Sequence, residues 1–155
     1  MTEIADLLRA DAVLADVGAG SKRALFGALG TAAARAYALD AAAVAERLTA
    51  REKLGTTGFG GGIAVPHARI DGVARVCGIF ARLTRPIEFA AVDDQPVDLV
   101  FALFSAPDAG SEHLKALASV SRRLRDRTLG HKLRGAGSVD ALYALLTGVG
   151  AHDLV

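Results

Sequence analysis

Histidines and arginines carry most of the chemistry open to this chain of 155 residues. His67 stands in the segment REKLGTTGFGGGIAVPHAR, residues 51–69, directly after Pro66. Before it come Gly55, Gly58, Gly60, Gly61 and Gly62, then the apolar stretch Ile63-Ala64-Val65. Glycine serves a backbone that must take positive φ or approach another group closely. Proline has no amide hydrogen and biases its predecessor toward extended geometry. Pro66 is therefore expected to stop a strand and leave His67 at a rigid tip, beside a loop rich in backbone N–H groups that suit an anion. His113 falls in the first turn of a helix expected from Ser111, just after the apolar run Val97 to Ser105. In open α/β sheets, groups at strand ends and in the loops after them converge on one crevice. His67 and His113 are thus candidate neighbours. His131, among Arg127, Lys132 and Arg134, reads as a solvated face residue, and His152 lies in the tail.

Two chemistries are open to such a pair. Two imidazoles with Asp71, Glu88 or Glu112 could hold a metal and make a hydrolase. No H-E-x-x-H spacing is present, however, and a donor-rich loop is of no use to a cation. The other chemistry is nucleophilic. A neutral imidazole with one nitrogen free and the other N–H held by a carbonyl can take a phosphoryl group and release it. Phosphoryl transfer asks mainly for alignment and for donors around the equatorial oxygens. The loop amides, Arg51 and His113 are the groups at hand. Arg51 also reads as an ordinary cation at a helix C-terminus. The loop is not a Walker motif, since no Gly-Lys-Ser/Thr closes it, and its glycines do not fall at G-x-G-x-x-G.

The elements that must position these groups follow from periodicity and caps. A first helix capped by Thr2 carries Ile4, Leu7 and Leu8, and a short strand covers Ala12 to Val17. Ser21 and Asp40 cap two helices, the second ending near Leu54. Val73 to Leu83 reads as a strand, Pro86 to Phe89 as a short extended piece, and Asp93 to Pro96 as a turn. Val97 to Ser105 reads as a central strand buried on both faces. Ser111 caps a helix bearing Leu114, Leu117, Val120 and Leu124, and Thr128 and Ser138 cap two more. Strands interleaved with helices predict one α/β domain, residues 1–155, with helices on both faces of its sheet.

A net charge of +1 makes no electrostatic case for nucleic acid or anionic membranes. No apolar run approaches the roughly 20 residues of a membrane span. The acidic, amphipathic start is unlike a secretory signal. A single cysteine, Cys77, fits a reducing cytoplasm and reads as a buried structural thiol.

The segment REKLGTTGFGGGIAVPHAR resembles the active-site signature of the fructose/mannitol-type enzyme IIA domains of the bacterial phosphotransferase system (PTS). EFAAVDDQPVDLVFALFSAPD and SEHLKALASVSRRLRD resemble the later strand and helix blocks of that family. With no IIB or membrane segment attached, the chain is most similar to the nitrogen-regulatory IIA branch. The resemblance implies a mixed five-stranded sheet flanked by helices. It implies that His67 accepts a phosphoryl group, on Nε2, from a histidine phosphocarrier protein. The second histidine of the family falls on His113, its arginine on Arg51 and its loop Ser/Thr on Thr56, with the amides of Gly58, Gly60, Gly61 and Gly62 around the phosphate. Gly61 departs from the polar or larger residue often found there. Phe59 and Ile63 are expected to form an apolar docking rim. The implied protein is a phosphocarrier and regulator, not a metabolic enzyme, with no cofactor or metal. Its phosphorylation state is read by a sensor kinase, a transporter or an enzyme. The alternative is a sugar-uptake IIA component serving a IIB domain.

Overall fold

The computed structural model describes residues 3–148, so the expected Thr2 cap and the tail residue His152 lie outside the described residues. The chain opens on α1 (Ile4–Leu7), a single turn closed by a capping box between Glu3 and Asp6. Leu8 leaves the helix and starts β1 (Leu8–Val17), which is longer than the expected strand. Pairing with a neighbour on one side only lets this edge strand carry Arg9 and Asp11 in water, which hid its first half from an apolar pattern. Helices α2 (Lys22–Tyr37) and α3 (Ala41–Lys53) start where expected. The Ser21 and Asp40 side chains accept the amides of Ala24 and Ala43.

Three short strands follow, β2 (Gly58–Gly60), β3 (Ile63–Ala64) and β4 (His67–Arg69). Then come the long strands β5 (Cys77–Ile87) and β6 (Val97–Ser105). β5 begins later than expected and absorbs the Pro86 piece. Pro86 is tolerated because it lies past the last β1 partner, Leu83, within an irregular stretch of the β6 pairing. The C-terminal part is α4 (Ser111–Leu124), α5 (Arg127–Gly135) and α6 (Val139–Thr147). Asp126, not Thr128, caps α5, accepting the amides of Thr128 and Leu129, while Ser138 caps α6 as expected.

The strand order is β1-β5-β6-β3-β2, with β4 also on β6. β5 is parallel to β1 and antiparallel to β6, while β3 and β4 run parallel to β6. β3 and β4 occupy successive stretches of the same β6 edge, so the mixed sheet is five strands wide. Pro66 therefore interrupts this edge without ending it, and its carbonyl accepts the Leu103 amide at 2.9 Å. β6 is buried along its whole length except at Asp98, as a strand covered on both faces must be. Helices α2 and α3 pack together against one face, and α1, α4, α5 and α6 cluster over the other.

The glycines form the β2–β3 hairpin tip. Gly60, Gly61 and Gly62 all take positive φ, at 110°, 69° and 79°. A side chain on Gly62 would meet Arg134 Nη2 at 2.6 Å and Asp98 Oδ1 at 2.9 Å, breaking the pair that clamps the tip. Nothing stands within 4 Å of a side chain on Gly61. Gly62→Ala should therefore cost about 2 kcal/mol in urea unfolding, from left-handed strain and the lost clamp. Gly61→Asn should change stability by less than about 0.5 kcal/mol, since asparagine tolerates this backbone.

Candidate functional site

The tip of the sheet where β4 and β6 end brings both candidate histidines together. Register places His67 opposite Leu103 and Arg69 opposite Ser105, the last residue of β6. The His67 ring folds back so that Nδ1 lies 2.9 Å from the Val65 carbonyl. A carbonyl only accepts, so Nδ1 carries the proton and the lone pair of the neutral ring falls on Nε2. Arg51 agrees with this assignment, because its Nε–H donates to His67 Nε2 at 3.2 Å. The His113 ring stands 5.4 Å from that of His67, centroid to centroid, at 59°. It is 6% exposed, and its Nδ1 shares a short hydrogen bond with the buried Ser105 hydroxyl.

Each group has a local reason for its place. Arg51 comes from the last turn of α3, and its Nη1 donates to the Gly55 carbonyl at 2.9 Å. The next residue, Glu52, anchors that helix end. Its carboxylate accepts from Thr57 Oγ1 at 2.7 Å and from the Thr57 amide, and it pairs with Lys22 Nζ at 2.9 Å. Lys22 in turn lies over the Phe89 ring at 4.4 Å. α3, the loop and α2 are thus tied at one point, which sets where Arg51 can stand relative to His67. His113 is placed by the inward stripe of α4, which is His113, Ala116, Val120 and Leu124. Leu114 is 64% exposed.

Both imidazoles are held neutral. Loss of water around the half-buried His67 ring lowers its pKa, with Arg51 adding to the effect, against the Val65 bond and Glu52. Burial pushes His113 down to about 4, with His67 and Arg69 acting in the same direction. At neutral pH the site therefore offers an uncharged nucleophile, Nε2, under a guanidinium. Arg47, Arg51, Leu54, Arg69 and the two histidines line this open cleft, and no carboxylate is among the lining residues.

The glycines are elsewhere. Ile63 pairs with Leu99 and His67 with Leu103, four residues along β6 or about 13 Å. At the hairpin tip the Gly61 amide donates to Asp93 Oδ2 at 3.0 Å, and the Gly61 carbonyl accepts from Arg134 Nη2 at 2.8 Å. The Gly58 amide donates to Thr56 Oγ1 at 3.1 Å, and that hydroxyl contacts the Phe89 carbonyl. Gly58 is instead a packing position, where a side chain would come within 2.8 Å of Ala91 Cβ. The Gly58 and Gly61 amides and Thr56 are thus turned to the loop itself, and Gly60 and Gly61 line a separate groove with Arg134. The expected apolar rim also moves. Ile63 is buried and Phe59 lies beneath Arg125, whereas Leu54, 84% exposed, lines the histidine cleft and the exposed Leu114 follows His113 in the chain. Among the described residues, no three His, Cys, Asp or Glu side chains come close enough to hold a metal. His131 is exposed on α5, away from the cleft. Sequence reasoning missed Ser105, Glu52 and Thr57. The hydroxyl closing the apolar run Leu99 to Phe104 was the one available signal for Ser105.

A sheet of this topology with paired histidines at its tip defines a class. The chain matches the model for the phosphoenolpyruvate-dependent sugar phosphotransferase system, EIIA 2, over residues 6–148, and belongs to that family. Within it, the chain is similar to nitrogen regulatory proteins. It is 43% identical over 143 residues to that of Bradyrhizobium diazoefficiens, covering 92% of this chain and 94% of the relative. It is 37% identical over 146 residues to that of Escherichia coli (strain K12), covering 94% and 90%. The crystal structure of nitrogen regulatory protein IIA-Ntr from Neisseria meningitidis matches with a TM-score of 0.86 at 37% identity, covering 93% of this chain and 99% of that one.

The depressed His113 pKa has a signed consequence. Above the ordinary value of 6.5 neither folded nor unfolded state protonates this ring, so it contributes no pH dependence. Between 6.5 and about 4 the unfolded state takes up the proton and the folded state does not, so stability falls as pH falls. Histidine ring resonances should show His113 titrating near 4, and unfolding titrations should show acid destabilisation that is reduced in His113→Gln over this window.

Proposed function

We propose that the protein is a phosphohistidine carrier and regulator of the nitrogen-regulatory branch, phosphorylated on His67. The observation that carries this reading is the His67 ring itself, tethered through Nδ1 to Val65 with Nε2 turned to an arginine in an open cleft. Nε2 attacks the phosphorus of a phosphohistidine on the carrier in line. The new Nε2–P bond forms as the donor P–N bond breaks, and the donor imidazole leaves with that electron pair. The His67 ring becomes cationic, and its Nδ1–H bond to the Val65 carbonyl strengthens as it does so. Arg51 leaves Nε2 and donates to the phosphoryl oxygens, as phosphoryl transfer requires. His113, neutral and fixed by Ser105, is the second group beside the transferring phosphorus.

Leu54 and Leu114 suit a transient docking surface around this centre, since exposed apolar residues beside a reactive group are what a short-lived partner covers. The donor is a histidine phosphocarrier protein. The phosphorylation state is then read by a target protein, whether sensor kinase, transporter or enzyme, in the cytoplasm. Full-length similarity to nitrogen regulatory proteins favours regulation over delivery to a IIB domain. Among the described residues no helix is long and apolar enough to cross a membrane.

Incubation with enzyme I, carrier and phosphoenolpyruvate should give acid-labile, base-stable phosphate on wild type and none on His67→Ala. Arg51→Ala should slow labelling about 100-fold, the scale for removing a group that meets developing charge. Label that persists in His67→Ala removes this reading.

A further inference from the structure

Arg69 is the cleft residue that no step above uses. On β4, His67 and Arg69 point to one side of the sheet edge and the buried Ala68 to the other. Residues two apart on a strand are about 7 Å apart, well within the reach of an arginine. Arg69 lines the same cleft as His67, His113 and Arg51. Its Nη1 donates to the carbonyls of Ala106 and Ala109, in the segment that joins β6 to α4. A guanidinium has five N–H donors in a fixed plane. With Nη1 anchored, Nε and Nη2 have no hydrogen-bond partner among the described residues, and Arg69 makes no ion pair there. The charge is therefore both positioned and uncompensated. Arg51 approaches His67 from α3, and Arg69 is anchored on the side of the β6–α4 segment.

We propose that Arg69 is a second phosphoryl-binding guanidinium, whose Nε and Nη2 donors meet the phosphoryl oxygens on the side away from Arg51. The inference rests on His67 as the phosphorylated residue. Two planar forks on opposite sides fix a phosphoryl group in orientation as well as charge, which one guanidinium cannot do alone. The influence of Arg69 on the His113 pKa fits a guanidinium that faces the cleft.

The test uses the whole chain and two probes that need no partner protein. Inorganic phosphate is titrated into unphosphorylated wild type, R69Q and R69K while the ring resonances of His67 and His113 are followed. Phosphoramidate, a small-molecule phosphoryl donor, is then used to label His67. Saturable phosphate binding is expected in wild type, weaker by about fivefold or more in R69Q and intermediate in R69K, which keeps the charge and loses the fork. Labelling of R69Q by phosphoramidate should be about tenfold slower. Equal phosphate affinity in wild type and R69Q, or no saturable binding in wild type, overturns the proposal. So does an affinity loss accompanied by displaced His113 resonances in phosphate-free R69Q, which assigns Arg69 to holding the β6–α4 segment alone. Failure of the carrier reading looks different: wild type would be labelled by phosphoramidate and not by the carrier.

Discussion

One hydrogen bond, from His67 Nδ1–H to the Val65 carbonyl, organises the site. It decides the tautomer, and the tautomer decides which ring nitrogen carries the free lone pair. It also turns the ring so that Nε2 meets Arg51. The bond spans two residues with a proline between them, so the backbone there must hold one shape. The sheet supplies that shape. β3 and β4 are pinned to the same edge of β6, on either side of Pro66, and Pro66 itself accepts a bond from Leu103. A ring attached to so short and well-fixed a strand loses little freedom when a partner docks, which is the advantage of preorganisation in a transfer site.

Around this bond the fold keeps charge where it is needed and absent where it would interfere. Burial holds both rings neutral, and a protonated His67 would have no lone pair to offer. Positive charge comes from arginines, whose planar guanidinium presents several donors in a fixed fork. Ser105 occupies the inner nitrogen of His113, at the end of a strand that is apolar from Leu99 to Phe104. Glu52 has an unusual position as a carboxylate whose side chain is 7% exposed near a site for an anionic group. Lys22 and Thr57 absorb it, so it fixes the loop and the end of α3 with its charge already paired.

Much of this was legible in the sequence. The central strand, the Ser21, Asp40 and Ser138 caps, and the meeting of His67 with His113 follow from patterns of apolar residues, cap residues and strand ends. What was hidden has physical reasons. An edge strand may carry charge on every second residue, so β1 concealed its first half. The inward stripe of α4 begins with a histidine and includes Ala116, which a list of its large apolar residues does not reveal. The glycines suggested an anion cradle because glycine signals positive φ without saying why it is needed. Here the need is a hairpin tip, and at Gly58 a close approach to Ala91. Long-range ties such as Lys22 with Glu52, or Arg134 with Asp98, leave no mark in local spacing at all.

The central claim is that Nε2 of His67 is the atom that receives the phosphoryl group, because Val65 holds the proton on Nδ1. The most direct measurement is a long-range nitrogen–proton correlation spectrum of the phosphorylated, nitrogen-15-labelled protein, in which coupling to phosphorus identifies the bonded ring nitrogen. Phosphorus bonded to Nε2, with Nδ1 still protonated, is the result expected. Phosphorus on Nδ1 would mean that the ring turns over before it reacts, and the tautomer set by Val65 would not be what directs the chemistry.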